Sequence, residues 1–354
     1  MLLNKSANIL IVRTDRIGDV VLTTPVFKAL RQAYPHARIT VMVSPTTKDL
    51  VDGNPYVNDV MTDDRQGRHK SFTGMLHLAR DIRQRGFDVV LIFHTKRRYN
   101  LACYLAGVPA RVGYQNDKWG WLLTHPHKDT RSLGQKHEVR YCLDVLKTVG
   151  IEGVMPELLV PGQKNAEVWA NQWFEQEGLT AGEMIAIHPG ASDITKIWPA
   201  QCFVELINAL QQRYAFKIVI IGGKETSVIA DGIMRSVKGK VYDLTAKSSV
   251  GQMVSILRRC RMLISNDSGP VHVASAVGIH VISLFLRDQP GINPQRWAPF
   301  GPRGYTLSSK LHEMVKLDAR SRMQTGKLDS ITTQEVLDVV ERILSGEHQS
   351  VFYW

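Results

Sequence analysis

Cysteine is scarce in this chain of 354 residues: Cys103, Cys142, Cys202 and Cys260 stand far apart, and none belongs to a C-x-x-C pair. That spacing excludes a disulfide or zinc framework and points to reduced, mostly buried thiols. Long apolar runs are missing too. No stretch approaches the ~20 residues that a membrane-spanning helix needs. Asn4, Lys5 and Asn8 ahead of the short Ile9–Val12 run leave no secretory core, so a cytoplasmic protein is expected. The first strand is not followed by G-x-G-x-x-G, which disfavours a nicotinamide dehydrogenase. Low-complexity segments and short repeats are likewise absent.

What remains is a chain with 44% hydrophobic and 22% charged residues, the balance of a globular protein long enough for two domains. Its net charge of +11 is unevenly spread. Residues 91–140 carry nine basic side chains against three acidic ones, Lys96, Arg97, Arg98 and Arg111 among them. A patch of this kind attracts phosphate-bearing partners such as nucleic acid, anionic lipid or a phosphorylated glycolipid. The plainer reading is a solvated basic surface.

Strand and helix patterns alternate throughout. Ile9–Arg13, Arg38–Val43, Val57–Met61, Asp88–Phe93 and Ala110–Gly113 read as strands. Helical periods lie between them at Val20–Ala33, Phe72–Arg85 and Arg97–Ala106, and His137–Val149 reads as a helix ended by Gly150. Pro156–Gly162 has the punctuation of a linker. A second series then runs from Met184–His188 to Ile279–Phe285. Such alternation calls for parallel sheets covered by helices on both faces. The expectation is two doubly wound Rossmann-like α/β domains, 1–160 and 161–354, facing each other across a central cleft. The last helix is free to pack back on the first domain.

Three segments concentrate the chemistry. Met262–Phe285 reads as strand, polar turn and a short helix opening at Pro270. Its free backbone N–H groups and helix dipole offer a phosphate site, with Asp267, Ser268 and His272 at the same spot. In Ile9–Pro25 a strand runs into a turn where Gly18 permits close approach. Asp19 lies at the carboxyl end of that strand, where open α/β sheets place their ligands. It could equally be a helix cap, and Asp15 is a second carboxylate in the same loop. In Ile187–Pro199 a glycine-containing loop carries Ser192 and Lys196, a hydroxyl donor and a point charge suited to a diphosphate. Glu225 follows another strand, where it could accept from ribose hydroxyls or serve as a first-turn helix acid.

Taken in order, Gly18–Pro25, the His188-Pro-Gly loop ending Lys196-x-Trp-Pro199, Ile221–Gly223, Asp243–Thr245 and Asn266–Ala276 resemble glycosyltransferase family 9. Those are the ADP-heptose:lipopolysaccharide heptosyltransferases of Gram-negative bacteria. The likeness runs from Ile9 to about Phe300 and includes His137–Leu143. It implies a GT-B fold, an acceptor held mainly by the first domain and a nucleotide-sugar by the second. Carried over by residue, it makes Asp19 the catalytic base. It places Ser192, Lys196, Glu225, Ser248, Asp267, Ser268, Gly269 and His272 around the donor. One departure is the stretch Leu317–Leu328, where some relatives carry cysteines and this chain has none.

The residues agree with that chemistry. A carboxylate can take the proton of an attacking sugar hydroxyl, and a helix terminus with a lysine can receive the charge of a departing diphosphate. No D-x-D occurs, so transfer without a metal ion or cofactor is expected, and the resemblance implies that it is metal-independent and inverts the anomeric centre. Lys96, Arg97, Arg98 and Arg111 are expected near the carboxyl edge that holds Asp19, gripping acceptor phosphates at the cytoplasmic face of the inner membrane. The competing readings are a GT-B transferase using another nucleotide-sugar, a scaffold without activity, and a nucleic-acid-binding protein. The last lacks any recognisable module, so no nucleic-acid partner is expected.

Overall fold

Ile9, Leu10, Ile11 and Val12 are apolar at successive positions, a pattern that suits a strand covered on both faces. In the computed structural model, which describes residues 6–308 and 331–346, all four are fully buried in β1 (Asn8–Val12). The cysteine-free stretch Leu317–Leu328 lies outside the described residues. Two units share the chain: one reaches to Ser132 and resumes over Glu138–Gln163, and the other holds Leu133–His137 and continues from Lys164.

The first unit adds β2 (Arg38–Val43), β3 (Asp59–Thr62), β4 (Val89–Ile92), β5 (Ala110–Gln115) and β6 (His125–Lys128). All pair in parallel, in the order β3-β2-β1-β4-β5-β6. Its helices are α1 (Ile17–Ala33), α2 (Phe72–Gln84), α3 (Arg97–Leu105) and α4 (Glu138–Leu146), the last packed on α1. α2 begins at Ser71, whose side chain accepts from the Gly74 N–H at 3.1 Å.

The second unit contains α5 (Lys164–Gln176), β7 (Met184–His188), α6 (Ala200–Tyr214), β8 (Lys217–Ile220), α7 (Ser227–Ser236) and β9 (Val241–Asp243). It continues with α8 (Val250–Arg259), β10 (Met262–Asn266), α9 (Gly269–Val277), β11 (His280–Phe285) and β12 (Gly304–Ser308). These strands are parallel in the order β12-β11-β10-β7-β8-β9. Counted from its own first strand, each sheet therefore has the same Rossmann order. The order reverses between β1 and β4 in one unit and between β7 and β10 in the other. Helices leave such a pair toward opposite faces, which opens a crevice at the carboxyl ends of those two strands.

The expected doubly wound architecture is present in both units, with further elements beyond it, among them a short helix at Pro294–Trp297. β6 reads His-Pro-His-Lys, without apolar alternation, and a proline is tolerated there because the strand lies at a sheet edge. β12 is the other missed edge strand and α5 a missed helix. The last described helix, Thr333–Ser345, opens on a capping box formed by Thr332 and Glu335. It was free to return to the first unit, but it buries Val336, Leu337, Val340 and Ile343 in the core of its own unit against α6. No described helix is long and apolar enough to cross a membrane.

Close approach at the carboxyl ends of β7 and β8 depends on two glycines. A Cβ at Gly190 would run into the Thr226 hydroxyl, and one at Gly222 would stand 2.6 Å from Thr226 Cβ. Thr226 is fully buried and its hydroxyl has no hydrogen-bond partner. Gly190→Ala is therefore expected to destabilise by about 1–3 kcal/mol through overpacking. Thermal melts should show the loss, and Thr226→Ala in the same chain should recover most of it.

Candidate active site

In the first unit, the chain leaving β1 turns at once into a cluster of buried charge. Arg13 is almost wholly buried. Its Nη1 donates to the Phe93 carbonyl at 3.0 Å, beyond the end of β4. Its Nη2 donates both to Asp19 Oδ1 and, at 3.1 Å, to Glu138 Oε1. Its Nε stands 3.0 Å from Asp15 Oδ1, close enough to pair as charges though misaligned for a hydrogen bond. One guanidinium thus serves three carboxylates.

Asp19 lies in the first turn of α1, but it does not cap that helix. The cap position belongs to Arg16, and no side chain bonds there. The Asp19 carboxylate is committed to Arg13, with 17% of its side chain still exposed. Burial pushes its pKa up to about 6; Arg13 opposes the shift, while Asp15 and Glu138 reinforce it. Asp15 is raised as well, again chiefly by burial. Across the same crevice, Thr14 Oγ1 meets His94 Nδ1 at 2.8 Å. Burial, aided by Arg13 and Lys96, pushes His94 down to about 3 and keeps it neutral.

The basic patch does not survive folding as one surface. Lys96 and Arg97 are exposed at the start of α3, just past the end of β4. Lys96 is held below the usual lysine range by partial burial and by its neighbour Arg65. Arg98 instead braces the interior. It bonds Asp63, which is fully buried, at 3.1 Å and the His69 carbonyl at 2.7 Å. Arg111 corrects the expected placement: it is level with Val90 in β5, toward the amino edge, and its guanidinium donates to the carbonyls of Leu122 and Val108. Arg131 pairs with Asp129 at 2.7 Å. Arg65, not singled out from the sequence, joins Lys96 and His94.

The second unit places its polar residues at the other crevice. Asn266, at the end of β10, holds both ends of the loop after β7. Its Nδ2 donates to the Pro189 carbonyl at 2.7 Å, and its Oδ1 accepts from the Trp198 N–H at 3.0 Å. Trp198 is fully buried, stacked edge-on against Phe203, and its Nε1 donates to the Ile331 carbonyl at 2.7 Å. Between those anchors, Lys196 is paired with Asp267, both largely buried. Asp193 accepts from the Thr195 N–H at 2.9 Å and pairs with Arg287 at 2.7 Å.

α9 begins at Gly269 with Pro270 in its first turn. Ser268 occupies the cap position, yet its hydroxyl does not cap. It lies 3.0 Å from His188 Nδ1 and 2.9 Å from Ser265 Oγ. The Gly269 N–H and the positive end of the helix dipole are thus left for an anion, since Pro270 has no N–H and the Val271 N–H donates to the Ser268 carbonyl at 3.2 Å. His272 faces the same turn, with its Nδ1 buried and unbonded. Burial first, then His137 and Lys196, push it down to about 3, so its ring is neutral. His137 donates from Nε2 to the Ala298 carbonyl at 2.9 Å.

Lys196, Asp267, Ser268, Gly269 and His272 thus gather where the sequence reading put them. Glu225 and Ser248 follow β8 and β9, one and two strands away along the same edge. Glu225 is exposed, and Ser248 Oγ donates to the Leu244 carbonyl at 3.4 Å. Ser192 is exposed in the loop after β7. Arg13, Glu138, Asn266 and Arg287 were not identified as functional. Arg13, Glu138 and Asn266 do sit inside quoted segments, the only signal available for them. Among the described residues, no group of three or more His, Cys, Asp or Glu is arranged to hold a metal ion.

Residues 75–326 match the profile of glycosyltransferase family 9 (heptosyltransferase). The chain is 27% identical over 281 residues to lipopolysaccharide heptosyltransferase 3 of Escherichia coli K12, covering 76% of this chain and 79% of that protein. The glycosyl transferase family 9 structure from Veillonella parvula superposes with a TM-score of 0.86 at 24% identity, covering 98% and 99% of the two chains. The structure of E. coli ADP-heptose lps heptosyltransferase II superposes with a TM-score of 0.74 at 20% identity, covering 97% and 100%. These likenesses establish a shared two-domain α/β architecture, the GT-B fold.

The raised Asp19 carboxyl has a consequence for stability. The folded chain binds this proton more tightly than the unfolded chain does, at about 6 against about 3.9. The stability so gained is present at low pH and is lost as pH rises through 6. Asp19→Asn should therefore raise the melting temperature above neutrality and have a smaller effect near pH 4. A melt series across pH would show a gain that grows with pH.

Proposed function

The chain belongs to glycosyltransferase family 9, and from that premise we propose that it moves a heptose from ADP-heptose to the lipopolysaccharide core. The transfer is an inverting single displacement without a metal ion. The observation that carries this reading is Asp19, a carboxylate at the carboxyl end of β1 whose pKa stands at about 6. Such a group is ionised at neutral pH and still basic enough to accept a proton.

In the proposed reaction, Asp19 takes the proton of an acceptor hydroxyl as its oxygen bonds to the anomeric carbon of the heptose. The bond from that carbon to the ADP diphosphate breaks, and attack from the opposite side inverts the centre. Charge accumulates on the departing diphosphate. Lys196 and the uncapped N-terminus of α9 are the donors assigned to it, with Ser268, Gly269 and His272 shaping the turn. Glu225 is assigned to the nucleoside, and Ser192 and Ser248 to further donor contacts.

Lys96 and Arg97, with Arg65 beside them, are assigned to phosphates of the acceptor. Arg98 and Arg111 leave that role because Asp63 and backbone carbonyls already occupy them. The acceptor is a membrane lipid in this reading. The enzyme would meet it at the cytoplasmic face of the inner membrane, where each nearby Lys or Arg gains about 1 kcal/mol from an anionic surface.

Kinetics and calorimetry test the assignment. Asp19→Asn should cut turnover by ~10²–10⁴, the usual worth of a general base, and leave ADP affinity unchanged. Near-normal turnover would remove Asp19 and bring Asp15 forward. Lys196→Ala and Asp267→Ala should weaken ADP binding; UDP binding as tightly as ADP would overturn the donor assignment. Lys96→Ala with Arg97→Ala should raise the acceptor KM and flatten its salt dependence, without touching ADP affinity. If both acceptor measures stay unchanged, those residues are solvated surface.

A further inference from the structure

Arg13 divides one nitrogen between two carboxylates. The two protons of Nη2 go to Asp19 and to Glu138, while Nη1 is taken by the Phe93 carbonyl. Glu138 is fully buried at the first position of α4, where the helix dipole favours a negative charge. It reaches Arg13 across 125 positions of sequence. A carboxylate fixed there does more than neutralise a buried guanidinium. It competes for the charge that would otherwise be divided between Asp19 and Asp15 alone.

We propose that Glu138 is a positioning residue for the base: by sharing Arg13 Nη2, it holds Arg13 in place while preventing it from quenching Asp19. The inference rests on Asp19 acting as the base. The other charged and titratable groups facing this cluster are few. Asp15 comes from the same loop as Arg13; Arg131 acts on Asp15 and Glu138, and Lys96 on Asp15; the Tyr114 hydroxyl, pushed well above its usual range by burial, faces Glu138 and Arg13 from β5; Cys142 lies on α4 and His94 beyond β4. Burial pushes the Cys142 thiol up to about 12 and His94 down to about 3. Neither changes charge in the range where Asp19 titrates. The carboxylates and Arg13 therefore set its behaviour between them.

Removing the Glu138 charge should release Arg13 toward Asp19 and favour the ionised carboxylate. Asp19 then becomes the weaker base. Glu138→Gln keeps the size and an oxygen to accept from Nη2, so the test isolates the charge. The acid limb of kcat/KM for heptose transfer from ADP-heptose should move down by about one pH unit, the scale of one close charge. The plateau should fall several-fold with ADP affinity unaltered. A purely structural role would lower the melting temperature and leave the limb in place.

Should Glu138→Gln fail to fold, Glu138→Asp withdraws the carboxylate by one methylene and should displace the limb in the same direction by less. An unmoved limb in whichever variant folds overturns the proposal. Asp19→Asn separates this failure from that of the underlying reading. If that variant loses turnover while the Glu138 limb stays put, only the positioning role falls. If it keeps both turnover and limb, the base assignment falls, and this proposal with it.

Discussion

The buried guanidinium of Arg13 is the interaction on which the first unit's crevice depends. It joins the exit of β1, the carbonyl beyond β4, the first turn of α1 and the start of α4. Taking such a charge out of water is costly, and it is tolerated only because each partner is in place. Removing the guanidinium itself would strand the carboxylates around it, a loss that for a buried pair commonly costs about 3–5 kcal/mol. The carboxyl edge is therefore cross-linked at the point where the proposed base, Asp19, sits. The same arrangement crowds Asp15, Asp19 and Glu138 around one cation, and that crowding adds to burial in keeping Asp19 basic.

The second unit repeats the fold without repeating the chemistry. Both sheets have the same strand order, and both crevices lie where that order reverses. In the second, however, neutral groups do the anchoring. Asn266 clamps the loop that carries Lys196, and His188 and Ser265 hold the Ser268 hydroxyl away from the cap. A polar network that is satisfied internally leaves the helix terminus unspent. In the proposed reaction one crevice accepts a proton and the other faces an anion. Identical topology allows this because the fold fixes where loops converge, while the loop residues decide what they do.

Much of the fold was legible because buried parallel strands announce themselves as apolar runs. The edge strands β6 and β12 were not, since at an edge pairing geometry can outweigh composition. The placement of Asp19 and of the turn Asp267–His272 at strand ends was legible from local motifs. Arg13 and Glu138 were not, because a salt bridge spanning 125 positions leaves no local trace. The basic patch failed for the opposite reason. Charges adjacent in sequence were dispersed by folding, Arg98 to Asp63, Arg131 to Asp129 and Arg111 to backbone carbonyls, whereas Arg65 came from another loop to join Lys96.

The Lys196–Asp267 pair raises a question for the proposed reaction, since a lysine already bound to a carboxylate could seem spent. An ammonium has three donors and one charge, so a bond to Asp267 leaves two N–H groups for phosphate oxygens. Asp267 would then orient Lys196 before the donor arrives, sparing the entropy of fixing a long side chain at the moment of binding. The pair is largely buried, so its alignment is not a loose surface contact. The negative charge of Asp267 does oppose an incoming diphosphate. The N-terminus of α9, which begins two residues later, supplies the compensating field. On this argument the carboxylate contributes by placing the lysine, and the helix terminus offsets the charge that this placement introduces.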